Sequence, residues 1–98
     1  MYVVVVIFEV KHEHTAEFLQ AVLRQAENSL DREDACRVFD VCADPQDPCA
    51  VLLYEQYDNA AAFDAHLASE HFRTFDATVT PWLNAKTVST WQLRATHS

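Results

Sequence analysis

The segment Leu53-Tyr54-Glu55-Gln56-Tyr57 places a carboxylate inside a run that otherwise has the composition of a buried strand. A carboxyl group there must be paired, hydrogen-bonded or protonated, because removing its charge from water is costly. Either it pairs with an Arg or Lys of the same or a second subunit, or it serves as a catalytic or binding group. A second candidate lies in Phe63-Asp64-Ala65-His66-Leu67-Ala68-Ser69-Glu70-His71-Phe72. His66 falls among the apolar positions Ala62, Phe63 and Leu67, so its ring is expected to face the sheet, towards Tyr54 or Glu55. An imidazole near its ordinary pKa moves protons on and off substrate oxygens at neutral pH. The competing interpretation is a hydrogen-bonded core or rim histidine.

His66 and His71 are five residues apart, off the i, i+4 spacing of a helical metal pair, with only Glu70 as a further ligand beside them. No metal site is expected on this basis. Asp40, in Val38-Phe39-Asp40-Val41, is another acidic residue in an apolar strand. His12 and His14 precede the first helix and are expected to be solvated. Trp82 and Trp91 are expected to pack in the core or at a subunit seam.

The elements that would carry these groups follow from periodicity. Tyr2 to Val10 is β-branched and apolar on both alternating sets, Val4, Val6, Phe8 and Val10 against Val3, Val5 and Ile7, the pattern of a strand covered on both sides. Thr15 is a plausible N-cap for an amphipathic helix with Phe18, Leu19, Val22, Leu23, Ala26 and Leu30 at helical spacing. Arg37 to Ala43 and Ala50 to Tyr57 predict a hairpin around Asp44-Pro45-Gln46-Asp47-Pro48, whose prolines stay out of a ladder. Asp58 or Asn59 can cap a second helix and Ser69 its continuation through Phe72, Phe75 and Val79, with Pro81 at its end. Lys86 to Leu93 predicts the last strand. The order β-α-β-β-α-β is the ferredoxin-like α+β arrangement, with both helices on one face of a four-stranded antiparallel sheet. Residues 1–98 are expected to form a single domain. Two helices cover only one face, so a second subunit is the simplest cover for the other, which predicts a homodimer.

Composition removes several functions. The net charge of −8, from 15 acidic and 7 basic residues without a basic cluster, argues against nucleic acid. The apolar opening is too short for a membrane span or signal peptide. The chain has no glycine, so it lacks a Walker loop and a dinucleotide fingerprint. Cys36, Cys42 and Cys49 form no C-x-x-C pair and leave one thiol over, which points to buried thiols in a reducing, cytoplasmic compartment. Cys42 and Cys49 bracket a turn, and facing each other there would give them a redox role.

Phe8-Glu9-Val10, Ala35-Cys36-Arg37-Val38-Phe39-Asp40-Val41, Leu53-Tyr54-Glu55-Gln56-Tyr57 and Ala62-Phe63 followed by His66 and His71-Phe72 together resemble the antibiotic biosynthesis monooxygenase family over nearly the whole chain. Ala35 departs from the glycine usual there. The resemblance implies a dimeric α+β barrel, with a pocket between sheet and helices in each subunit. It also implies oxygenation of a small quinol-like or phenolic substrate without metal, flavin or other cofactor. The expected site has His66, Glu55 and Tyr54 as catalytic groups and His71, Phe39, Asp40 and Phe63 as substrate contacts. Ile7, His66 and Asp76 stand where the haem-degrading branch has asparagine, tryptophan and histidine, which argues against haem degradation. Phe39-Asp40-Val41, Tyr54-Glu55 and the two histidines are also similar to the branch that isomerises phosphorylated autoinducer-2. Such a phosphate wants cationic partners, and only Arg37 and Arg73 offer themselves. An isomerase of a small phosphorylated hydroxyketone and a non-enzymatic ligand-binding module remain the alternatives.

Overall fold

The structure, a computed structural model, describes residues 1–97. Its elements are β1 (Tyr2–Val10), α1 (Thr15–Arg32), β2 (Cys36–Asp44), β3 (Asp47–Tyr57), α2 (Ala60–Ala68), α3 (Glu70–Val79) and β4 (Leu83–Gln92). Short 3-10 turns, His12–His14 and Thr80–Trp82, precede α1 and β4. The strands form one antiparallel sheet in the order β2-β3-β1-β4. This is the ferredoxin-like α+β fold, with the second helical segment divided in two at Ser69.

Local chemistry accounts for the boundaries. Asn59 Oδ1 accepts the Ala62 N–H (2.9 Å) and Ser69 Oγ accepts the Phe72 N–H (3.3 Å), so each N-terminal side chain satisfies a backbone donor of the helix it starts. Asn59, not Asp58, is therefore the cap of α2. Thr15 is the first helical residue rather than the cap, and its hydroxyl donates to the His12 carbonyl. At the hairpin, Asp44 and Asp47 accept the Gln46 and Cys49 N–H groups. β3 runs further than expected, from Asp47 through Pro48. The proline is tolerated because β1 pairs with β3 only as far as Ala50, so nothing on that side requires its N–H. Cys42 pairs with Leu52, not with Cys49. The two thiols therefore do not face each other, and Cys42 is exposed rather than buried.

The core lies between the sheet and the helices. Val4, Val6, Phe8 and Val10 of β1 and Val51, Leu53 and Tyr57 of β3 are buried against Phe18, Val22 and Ala26 of α1, Phe63 of α2 and Phe75 and Val79 of α3. Burial of Phe8, Phe18 and Tyr57 contributes about 1.5–3 kcal/mol each. Leu19, Leu23 and Leu30 flank this stripe and stay exposed, while Gln25 and Ser29 occupy it. Among the described residues, no helix covers the opposite face of the sheet. Ile7 is 47% and Trp91 61% exposed there, and Val5, Leu52 and Tyr54 are half-buried.

Candidate active site

Between the helices and the sheet lies a half-open cavity of about 310 Å³, at the small end of the range for small-molecule sites. Its walls are mostly apolar: Val6 and Phe8 of β1, Phe39 of β2, Leu53 of β3, Phe63 and Leu67 of α2, Phe72 and Phe75 of α3, and Val88 of β4. Four polar side chains reach it, Gln25, Glu55, His66 and Lys86.

Glu55 faces the helices because β3 alternates Leu53, Glu55 and Tyr57 inward. It is 2% exposed, and its Oε1 accepts the Tyr57 hydroxyl at 2.6 Å. Burial pushes its carboxyl up to about 7, with the Glu33 charge adding to the rise and the Tyr57 bond and Lys86 opposing it. Burial likewise raises the Tyr57 phenol, which remains the donor. The Cys36 thiol, beside them, is pushed up to about 12, chiefly by burial, and is unreactive as a thiolate source.

His66 does look towards the sheet. It is 3% exposed and packs on Phe63, Tyr57, Phe72 and Phe39, at 5.0–6.2 Å between ring centroids. Its Nδ1 lies 2.8 Å from Glu33 Oε2, which leaves Nε2 for the cavity that the ring lines. Burial lowers its pKa while the Glu33 bond and charge oppose, so the imidazole favours the neutral form. His71 Nε2 lies 2.7 Å from the same Glu33 oxygen, and its Nδ1 faces the Gln25 amide. Lys86 extends from β4 with Nζ 5.8 Å from the Phe8 ring and 5.6 Å from the Phe72 ring, and 3.3 Å from Asp76 Oδ1.

Of the expected site residues, Glu55, His66, Phe39 and Phe63 line the cavity, and His71 stands behind His66. Tyr54 and Asp40 do not. Strand alternation puts them opposite each other on the face without helices, where Tyr54 accepts a hydrogen bond from Gln56. Tyr57, and not Tyr54, is the phenol on the inward side, and its hydroxyl donates to Glu55. Three participants went unnoticed in the sequence: Glu33, Gln25 and Lys86. Phe18, Val22, Gln25 and Ser29 mark the inward stripe of α1, and one further step along it reaches Glu33 at the C-cap. Polar residues on that stripe were the available signal. Lys86 carried none, since its position depends on the β1–β4 register that pairs it with Phe8.

Comparison with known proteins agrees with this architecture. The family profile described as antibiotic biosynthesis monooxygenase matches residues 1–78. A solved structure from Nitrosomonas europaea, named as a candidate antibiotic biosynthesis monooxygenase, is 30% identical. It superposes with a TM-score of 0.89 over 94% of this chain and 97% of its own. A structure from Deinococcus radiodurans carrying the same description is 20% identical, with a TM-score of 0.91 over 100% and 97% of the two chains, and supports the fold. No protein of curated function matches. With most of its length matched by the profile and this fold around an apolar cavity, the chain belongs to the antibiotic biosynthesis monooxygenase family.

Proposed function

We propose that residues 1–98 form one domain that works as a cofactor-independent monooxygenase on a small, electron-rich phenolic or quinol-like substrate. The observation that carries this reading is the Glu33–His66 pair at 2.8 Å, with the second ring nitrogen left for an apolar cavity. In that arrangement His66 Nε2 takes the phenolic proton, and Glu33 accepts the Nδ1–H and stabilises the imidazolium that forms. Lys86 offers the cavity a positive charge for the phenolate. The electron-rich anion then reduces dioxygen and forms a carbon–oxygen bond with it. Breakdown of the peroxide leaves one oxygen as a carbonyl and releases the other as water. The substrate loses two hydrogens and gains one oxygen atom, so it is its own reductant. Glu55, protonated up to about pH 7, is a proton donor for the departing oxygen.

A phosphorylated hydroxyketone is a poorer fit to the same cavity. Arg37 is exposed and bound to Asp58 at 2.8 Å, neither Arg37 nor Arg73 lines the cavity, and among the described residues Lys86 is the one cationic side chain that does. Two copies joined through the helix-free sheet face would cover Ile7 and Trp91, and we assign the functional unit to such a homodimer. Its free thiols suit the reducing cytoplasm. Among the described residues, no helix is long and apolar enough to cross a membrane.

The test is oxygen uptake with a panel of quinols and phenols, for the wild type and His66→Ala. Uptake well above the uncatalysed rate, falling by roughly 10²–10⁴ in the variant, supports the proposal. A wild type no faster than buffer refutes it.

A further inference from the structure

Behind the cavity, Glu33, His66 and His71 bring three ligand atoms within 4.8 Å of one another. Two of these atoms are accounted for by the Glu33–His66 hydrogen bond. The third is not: the His71 side chain is 7% exposed, and its Nε2 lies 2.7 Å from Glu33 Oε2 but outside hydrogen-bond geometry. It has no other partner among the described residues. A buried ring nitrogen without a partner needs an explanation, and an ion bound there is one.

The remainder of the His71 ring is already braced as a metal ligand requires. Its Nδ1 lies 3.2 Å from the Gln25 amide nitrogen and 3.5 Å from the amide oxygen. Exchanging the two ends of that amide, which differ only in atom assignment, lets the carbonyl accept the Nδ1–H. This outer hydrogen bond fixes the Nε2 lone pair towards Glu33 and is the usual support of a ligating histidine. Gln25 is itself buried.

We propose that Glu33 Oε2, His66 Nδ1 and His71 Nε2 bind a divalent transition-metal ion, with zinc as the probe. Two neutral imidazoles and one carboxylate form a donor set suited to zinc and its neighbours. Metal–ligand bonds of about 2.0–2.1 Å in a tetrahedral site hold ligand atoms about 3.3 Å apart. The present contacts of 2.8 and 2.7 Å therefore open by about half an ångström. Glu33 is at the C-cap of α1 with a side chain 16% exposed, which gives the ion a route in and water a fourth position. A protein of net charge −8 also attracts cations. Sequence spacing hid this site because its carboxylate comes from 33 residues before His66.

The metal would also act on the proposed chemistry, a consequence that rests on the monooxygenase reading. An ion on Nδ1 leaves the ring proton on Nε2, so His66 cannot take a proton from the substrate. Zinc would then inhibit turnover.

The metal is tested without turnover, by titrating the purified chain with zinc in a calorimeter and with cobalt(II) while following the visible ligand-field bands. One equivalent should bind, with tetrahedral-type cobalt absorption. Affinity should fall at least tenfold in His71→Ala and in Gln25→Leu, and remain unchanged in the His12→Ala/His14→Ala double variant. Circular dichroism establishes that each variant is folded. If His71→Ala does not fold, the Gln25→Leu result decides. Absence of binding, or affinity undiminished in folded His71→Ala or Gln25→Leu, overturns the site. If zinc binds as described while quinol turnover is absent, the monooxygenase reading fails and the metal site stands. Turnover without metal binding gives the reverse.

Discussion

Replacing Glu55 with glutamine removes one titrating proton from the centre of the fold while retaining an oxygen that can accept from Tyr57. In the native chain, burial is the main cause that lifts this carboxyl from 4.5 to about 7. The folded state consequently binds the proton more tightly than the unfolded chain. The stabilisation is complete below pH 4.5 and is lost as pH rises through about 7. Each tenfold change in proton affinity is 1.36 kcal/mol, so the rise from 4.5 to about 7 corresponds to about 3 kcal/mol. Urea unfolding of both proteins across this range, at fixed protein concentration because assembly also stabilises, measures it directly. Subtracting the glutamine variant cancels the contributions to pH dependence that the two proteins share. The stability of the wild type relative to Glu55→Gln should fall by about 2–3 kcal/mol between pH 4.5 and pH 8, most steeply below about 7. A difference curve that is flat within about 0.5 kcal/mol, or that rises with pH, refutes the assignment of Glu55 as a buried, neutral acid.

Tyr57→Phe removes the 2.6 Å donor to Glu55 and should cost about 1–3 kcal/mol, more above pH 7 than below it. Tyr54→Phe, on the far side of the sheet, should leave oxygen uptake within about twofold of wild type, since no part of its ring reaches the cavity. Charges placed on the helix-free face by Ile7→Lys with Trp91→Glu should yield a monomer in sedimentation equilibrium where the wild type is a dimer, if that face is the subunit interface. Ala at Asn59 or at Ser69 removes a capping oxygen and should lower stability by about 1 kcal/mol each in denaturant unfolding.

The sequence by itself determined the elements and their order. Alternation along Tyr2 to Val10, helical spacing from Phe18 to Ala26, and the capping side chains at Asn59 and Ser69 are local signals, read within a few residues of where they act. They also placed His66 on the inward face of its helix and marked Glu55 as a carboxylate in apolar surroundings. Which face of β3 is inward was not legible locally. Leu53, Glu55 and Tyr57 alternate with Leu52, Tyr54 and Gln56, and both sets contain apolar and aromatic residues. Only the packing of the helices decided that Tyr57, and not Tyr54, meets Glu55. The same is true of the groups that join across distance. Glu33 reaches His66 from the end of α1, and Lys86 reaches Phe8 through strand register. Such contacts depend on how distant elements dock, for which spacing along the chain carries no signal.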